Sequence, residues 1–509
     1  MFVRKNKNRS GSVSVQIVEK RHGTYRVFRT VGAATDPDEV ERLFREARRQ
    51  VTRLPGQQKL FATNDSDEYA VETFVDKLSN AHIRMVGPEL VFGALFDRIG
   101  FDRIKEDLFR HLVIARLAYP GSKLKTVDYL QRYRGIHYSP DRVYRFLDSL
   151  HATHKDAVER IAYAYTKKRL GAITMAFYDM TTLYFEAEDE DDLRKTGWSK
   201  DGKHDKPQIM IGLLLGQGGY PIGYDVFEGN TWEGDTVIPA LEKFEEKFRI
   251  GTPTIVADAG LLSKENIERL INRRYTFILG ARIRNESVDV KRRILESLVT
   301  LKSGTPAVIE KRDGIKLIIT YAEKRARKDA RNREKGLAKL KARIKSGKLG
   351  KKYLNNRGYN KFLRIEGNAT VAFDESKVAD DQQWDGLKGY LTNTALTPDD
   401  VVERYRDLWQ IENAFRISKT DLKVRPVFHR IRRRIEAHLT VAFVAYVVYK
   451  ELERLLKERR VSFSVKRAAE LTHTMYQLVY RSPRSGETKQ KILAMDEEQQ
   501  SLYDAITKK

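Results

Sequence analysis

The chain has 509 residues, enough for two to four domains and at least one large core. Lysine and arginine number 95 against 70 acids, and the resulting net charge of +25 points to a polyanionic partner, most often a nucleic acid. Cysteine is absent, which excludes disulfides, cysteine-ligated zinc, iron–sulfur clusters and a thiol nucleophile; 41% hydrophobic residues exclude a disordered basic tail.

The N-terminus, MFVRKNKNRSGSVSVQIVEK, has no apolar h-region, so no signal peptide is expected. Residues 11–32 alternate around a His-Gly pair and predict a β-hairpin. Residues 36–55 predict a basic helix with Asp38 in its N-cap region, and the polar stretch 56–75 reads as a linker. From 86 to 170 the pattern is helical, with breaks at Pro120-Gly121 and Ser139-Pro140. Its short amphipathic helices, Val127–Arg132 and Asp141–Ser149, resemble helix-turn-helix packing, and their basic content suits DNA.

At Gly171 the pattern turns to strands: Ile173–Glu186, then 207–217 and 220–227 paired around Gly218-Gly219. A helix follows at 236–248 with Asp235 as N-cap, then strand 254–257, helix 263–273 and strand 276–281. The order β-β-β-α-β-α-β predicts an α/β fold, a mixed sheet covered by helices. Residues 285–385 interrupt it with a β-pair around Asp313-Gly314 and a basic block from Lys324 to Arg364, of the kind that is solvated or bound to a polyanion.

Sheet-like sequence resumes at Gly386–Thr394, and Thr397-Pro398-Asp399 starts a helix expected to run through Lys419. A basic run, HRIRRR, leads into an apolar helix over 430–458. Its ridge from Leu439 to Val448 is too short to span a bilayer and suits either a dimer surface or the core. The last 50 residues read as helical and polar, and the whole as a soluble, intracellular protein. Six segments are expected: 1–75, 76–170 (helical, for DNA-end binding), 171–284 (catalytic), 285–385 (basic insertion), 386–428 (catalytic, carrying Glu412) and 429–509.

Three acids stand out by position. Asp179 lies inside an apolar strand, where a charge is costly unless paired or metal-bound. Asp258 ends strand 254–257 at the sheet edge where ligands gather in open α/β sheets. Glu412 follows Tyr405 and precedes Lys419 by seven residues each, which on one helix makes a stripe roughly 20 Å long, shared by Leu408 and Phe415. Taken singly these are a solvent-facing strand end, a turn aspartate and an amphipathic helix. Together they suit Mg²⁺ or Mn²⁺, hard ions that prefer oxygen ligands. Two such ions would activate an attacking oxygen and polarise a phosphodiester.

Three segments, F-Y-D-M-T-T-L-Y-F, V-A-D-A-G and Y-R-D-L-W-Q-I-E-N-A-F-R-I-S-K, resemble the catalytic segments of DDE transposases. The resemblance is to the fourth family of bacterial insertion sequences, especially its long branch. G-W-S-K-D-G-K-H-D-K-P-Q and F-E-G-N-T-W-E-G-D are similar to further landmarks of that family. The resemblance implies a ribonuclease H-like core with a β-containing insertion before the glutamate, and Asp179, Asp258 and Glu412 as a catalytic triad holding two Mg²⁺ ions, with Mn²⁺ able to substitute. It implies cut-and-paste transposition of DNA by a homodimer acting on terminal inverted repeats and target DNA in the bacterial cytoplasm.

Tyr405 and Lys419 match residues that contact the DNA backbone in relatives. The signature arginine falls at 408, where this chain has Leu408; Arg406 and Arg416 are the nearby arginines, off that stripe. A non-transposing nuclease of the same fold and a domesticated DNA-binding protein are the alternatives.

Other candidates have ordinary readings as well. Thr181 and Thr182 could orient Asp179, yet β-branched residues belong in strands. Trp232, Trp384 and Trp409 could stack on an extruded base or simply pack. His429 and His438 suit DNA contact or capping better than metal. The run from Glu188 to Asp192 reads as a solvated loop. No GxxxxGK[ST] phosphate loop occurs, which argues against ATP-driven chemistry.

Overall fold

The computed structural model describes every residue except 22, 53–64, 250, 262, 303, 347–357, 367–369, 483–485 and 509. The chain divides into two compact units, Met1–Asn80 and Ala81–Lys509.

In the first unit, β1 (Phe2–Lys7), β2 (Val13–Arg21) and β3 (Thr24–Ala34) form an antiparallel sheet in that order. The helix Pro37–Thr52 lays Val40, Ala47 and Val51 on Val15, Ile17 and Ala34. Its cap is Asp36 rather than Asp38: the Asp36 carboxylate accepts from the Asp38 amide at 2.7 Å, because the helix already opens at Pro37. Of the expected linker, 56–64 lies outside the described residues, and Asp65–Asp76 is a helix.

The second unit begins with β4 (Ile83–Met85) and continues in helices to Leu170. The main sheet takes β5 (Met175–Tyr184), β6 (Gln208–Leu215), β7 (Pro221–Glu228), β8 (Thr254–Ala257), β9 (Phe277–Ala281), β10 (Ala307–Glu310) and β11 (Lys316–Tyr321). A separate pair, β12 (Leu363–Glu366) and β13 (Thr370–Phe373), precedes β14 (Leu387–Thr392), which completes the main sheet. Among the described residues its order is β10-β11-β14-β9-β8-β5-β6-β7. The β5–β8 and β8–β9 pairs are parallel and all others antiparallel. The stretch β7-β6-β5-β8-β9 is a ribonuclease H-like sheet.

The first two strands of the 285–385 segment therefore extend the main sheet. The turn at Arg312–Gly314 brings β10 back onto β11, which then pairs with β14. The first part of the basic block lies in the helix Glu323–Lys345, anchored by Arg333, which donates to both oxygens of Asp385 at 2.6 Å, while 347–357 of the block lie outside the described residues.

Alternation along the strands builds two cores. Tyr178, Ala257 and Leu279 face the helices Val237–Phe248 and Lys264–Asn272. Phe177, Val256 and Ile278 face the helix Arg432–Glu458 and the helices before residue 170. The cap of helix Val237–Phe248 is Thr236, with no capping bond from a side chain; Asp235 is held in the preceding 3₁₀ turn. The long helix is core, since the ridge from Leu439 to Val448 is buried throughout and is not available as a dimer surface. Its Tyr446 hydroxyl donates to the Gly219 carbonyl, and Thr440 bonds Tyr224 at 2.8 Å.

The last 50 residues include a hairpin, β15 (Tyr476–Arg481) with β16 (Thr488–Ile492), whose first strand pairs with β4. The sequence YQLVYR carries the aromatic and β-branched residues that favour a strand. Among the described residues no helix is long and apolar enough to cross a membrane.

Candidate active site

The parallel pair β5–β8 ends with Tyr178 opposite Ala257, so the next residues, Asp179 and Asp258, follow at the same level of the sheet, where β8 ends and β5 runs on. Asp179 continues in β5, opposite Leu213 of β6, with its side chain 22% exposed. Burial pushes its carboxyl above the usual carboxylate range. Lys200 opposes that shift, while Glu233 and Asp258 add to it as neighbouring negative charges. Asp258 is exposed at the turn that follows β8.

Tyr405 reaches this edge from the helix Pro398–Arg406, where Thr397 caps by accepting from the Asp400 amide. Its hydroxyl donates to Asp258 Oδ1 at 2.9 Å, and burial followed by the Asp258 charge pushes the phenol upward. Gly280 makes this approach possible. A Cβ there would stand 2.5 Å from the Tyr405 hydroxyl and 3.2 Å from Asp258 Oδ1.

The helix expected to continue through Lys419 is interrupted at Asp407–Leu408, and Trp409–Arg416 is a second helix. Amides of Leu408, Gln410 and Ile411 bond three residues back, at 3.1, 2.9 and 3.1 Å. Such a 3₁₀ step turns the chain further per residue than an α-helix does, so Tyr405 and Glu412 do not share one unbroken α-helix, yet the Glu412 charge still reaches Lys388, as that of Asp258 does. Glu412 is exposed, and Leu408 is in the core. Lys419 is turned onto Asp201, donating at 3.1 Å beside Arg425 at 2.7 Å, and burial lowers its ammonium pKa. Arg406 and Arg416 are exposed; Arg416 donates to Asn413 Oδ1.

Three side chains at this edge were not singled out from the sequence. Lys200, from the loop before β6, places Nζ 2.6 Å from the Met180 carbonyl, 2.8 Å from Glu233 and 3.5 Å from Asp179. Thr182 accepts from the Lys200 amide at 3.2 Å, so this threonine fixes the lysine loop rather than Asp179. Glu233 is held on the turn after β7, where Asn266 donates to the Gly234 carbonyl at 2.6 Å and to Leu261 at 3.0 Å. Lys388 on β14 sits 4.4 Å from the Tyr405 ring centre and 5.4 Å from that of Tyr390. Burial and Arg325 lower its ammonium pKa, against the pull of Asp258 and Glu412. The available signal was the two landmark motifs themselves, which contain Lys200 and Glu233.

A cleft of about 620 Å³ opens from Asp258 and Tyr405 past Lys388 and Arg325 to Trp384. Trp232 and Trp409 are exposed, at 53% and 58%. His429 and His438 are buried; His438 bonds the Val424 carbonyl at 3.0 Å and lies 3.4 Å from Lys123, which places both histidines in the core instead of on DNA or at a cap. Asp191 of the acidic run accepts from Arg194 at 2.7 Å, a folded turn.

The donor set at the edge is oxygen only, which suits a hard divalent cation. Asp179 has Glu233 and Asp258 as neighbouring negative charges and the ammonium of Lys200 3.5 Å away. Among the described residues no three acidic or histidine side chains stand close enough to hold a metal ion.

The sequence matches no curated protein. Among solved structures it is similar to the piggyBac transposase synaptic complex with hairpin DNA, at 11% identity over 76% of each chain with a TM-score of 0.37. It is also similar to the Mos1 transposase paired-end complex with left transposon end, at 12% identity over 46% of this chain and 71% of that one, TM-score 0.16. The transposase DDE domain matches residues 176–448, a span that opens in β5, takes in Asp179, Asp258 and Glu412, and closes within the long helix. The chain thus belongs to the family of transposases that carry a DDE domain.

Proposed function

We propose that this chain is a cut-and-paste DNA transposase of the fourth insertion-sequence family, in its long branch, with Asp179, Asp258 and Glu412 as the catalytic acids. The observation that carries the reading is the placement of Asp179, within β5, beside the end of the parallel strand β8 that Asp258 follows, with Tyr405 of the Glu412 segment bonded to Asp258.

Asp179 and Asp258 would hold Mg²⁺ or Mn²⁺, and Glu412, whose charge already reaches Lys388 beside Asp258, would join them. The bound ions would lower the pKa of a water and neutralise the scissile phosphate. Tyr405 fixes the orientation of Asp258, leaving its second oxygen to bind. Lys388, which among the described residues has no carboxylate at ion-pair distance, would meet a phosphate of the cut strand, and the cleft beyond it would carry that strand toward Arg325. Hydrolysis frees a 3′-hydroxyl, which the same acids would then direct at the target phosphodiester. Arg406, Arg416 and the basic helix Glu323–Lys345 would hold the DNA backbone, the segment 76–170 would recognise the transposon end, and two copies would synapse two ends in a bacterial cytoplasm.

The test is Mg²⁺-dependent cleavage of labelled DNA bearing the element's own end, comparing wild type with Asp179→Ala, Asp258→Ala and Glu412→Ala. Cleavage by wild type alone, followed by insertion of the labelled end into a plasmid, is expected. Cleavage without insertion would leave a nuclease, and tight binding without cleavage in all four proteins a DNA-binding relic.

A further inference from the structure

Lys200 is an unusual neighbour for a carboxylate intended for a metal. It comes from a loop, on a backbone pinned by Thr182; its ammonium donates to Met180 O at 2.6 Å and pairs with Glu233 Oε1 at 2.8 Å and Asp179 Oδ1 at 3.5 Å. All three side chains are partly buried, with exposures of 33% for Lys200, 25% for Glu233 and 22% for Asp179. Glu233 is the nearer carboxylate, and Asn266 holds its turn against the loop that follows Asp258. The lysine therefore has a firm seat on Glu233 and a loose one on Asp179.

We propose that Lys200 is a built-in counter-ion for Asp179 that a divalent ion must displace, with Glu233 as the seat that retains the lysine when it is displaced. This rests on the reading of Asp179 as a metal ligand. Before metal binds, the ammonium offsets part of the repulsion among Asp179, Asp258 and Glu233. When metal binds Asp179, two cations cannot share one carboxylate oxygen at close range without repulsion, and the longer contact is the one that breaks. Glu233 keeps the lysine within reach, so it returns when the metal leaves. The arrangement lowers metal affinity in the DNA-free protein and so restrains cutting until substrate phosphates supply further ligands.

The test is Mn²⁺ binding by the full, DNA-free chain, followed by electron paramagnetic resonance, with thermal unfolding alongside. Lys200→Met is expected to bind Mn²⁺ roughly ten-fold more tightly than wild type, because a fixed positive charge has gone. Its unfolding temperature is also expected to rise more on adding Mn²⁺. Glu233→Gln is expected to bind several-fold more weakly, since its lysine rests wholly on Asp179. Lys200→Arg, which keeps the charge, is expected to show no gain.

In the double variant Lys200→Met/Glu233→Gln the effect of Glu233→Gln should shrink, because Glu233 acts through the lysine. A full effect there would make Glu233 a metal ligand and overturn its role as a seat. Wild-type or weaker affinity in Lys200→Met would overturn the counter-ion. Asp179→Asn separates the two readings. If it binds Mn²⁺ as wild type does, Asp179 is not a ligand and both fall; if it loses binding while Lys200→Met is silent, only the counter-ion falls.

Discussion

The hydroxyl of Tyr405 donates to the carboxylate of Asp258 at 2.9 Å, across 147 residues of sequence. The bond ties the helix that follows the insertion to the strand end that precedes it. It also settles which oxygen of Asp258 is engaged, since Oδ1 accepts the proton. Groups that orient a metal ligand in this way typically matter about 10–100-fold for affinity or activity. Tyr405→Phe keeps the ring, and with it the contact to Lys388. We expect cleavage to fall by about 10–100-fold while far-UV circular dichroism and the unfolding temperature stay near wild type. Wild-type cleavage rates in Tyr405→Phe would show that the bond serves packing alone.

Gly280 leaves the space in which that bond forms. Adding a methyl group there places a carbon 2.5 Å from the Tyr405 hydroxyl and 3.0 Å from the Ala259 amide nitrogen. Gly280→Ala is expected to cost about 1–3 kcal/mol of stability, the usual range for overpacking. Part of the clash is with the hydroxyl itself, so the cost should be smaller in a Tyr405→Phe background. Urea unfolding of the two single variants and the double variant measures the coupling; strict additivity would mean the backbone contact dominates.

His429 lies in a buried cluster with His438 at 5.4 Å between ring centres, and with Lys123, Arg116 and Arg434 as its charged neighbours. Burial, then those three cations, pushes its pKa down to about 3 from an ordinary value of about 6.5. The unfolded chain takes up a proton in this interval that the folded chain refuses. Stability is therefore at its full value above pH about 6.5 and falls as the pH drops toward 3. At pH about 5 this single group accounts for about 2 kcal/mol. Wild type should lose about that much more than His429→Gln between pH about 7.5 and about 5, read from urea midpoints. Equal losses would mean that the histidine is already charged in the fold.

The helix Glu323–Lys345 exposes Lys324, Lys328, Arg331, Lys335 and Lys339. If they follow a DNA backbone, each phosphate they neutralise releases a counter-ion, and affinity falls steeply with salt. Replacing all five with glutamine should reduce the slope of log K against log salt by about 0.9 for each phosphate that is no longer neutralised. The anchor Arg333 stays in place, so the helix should keep its position. An unchanged slope would assign the five charges to solubility.

The strands of the ribonuclease H-like sheet were legible because their apolar runs end in turn residues, and Asp179 and Asp258 because each breaks or closes such a run. The pairing of those two acids follows from parallel strands in register, which periodicity expresses well. The break between the helices of Tyr405 and Glu412 was not legible, since seven-residue spacing assumes an unbroken α-helix and a few i→i−3 bonds interrupt it. Loop side chains left no periodic trace, so Lys200 and Glu233 were visible only as parts of motifs. Lys419 shows a different failing: on a helix face it reads as a free cation, and only the fold brings Asp201 beside it. The β15–β16 hairpin was missed although YQLVYR carries a local strand signal; only the pairing of β15 with β4, far earlier in the sequence, lay beyond the reach of any local pattern.

The seating of β11 between β10 and β14 has a consequence for protein engineering. Removing residues 285–385 as though they were a detachable cassette would strip two strands from the ladder. One side of β14 would then present its unpaired amides and carbonyls, the kind of bare edge through which sheets join from molecule to molecule. Trimming should instead stay within the stretch after β11, from Ala322 to Gly386, where the ends are already bridged by the Ala322 amide and the Gly386 carbonyl at 3.0 Å. A short turn there would preserve the ladder and keep that side of β14 paired.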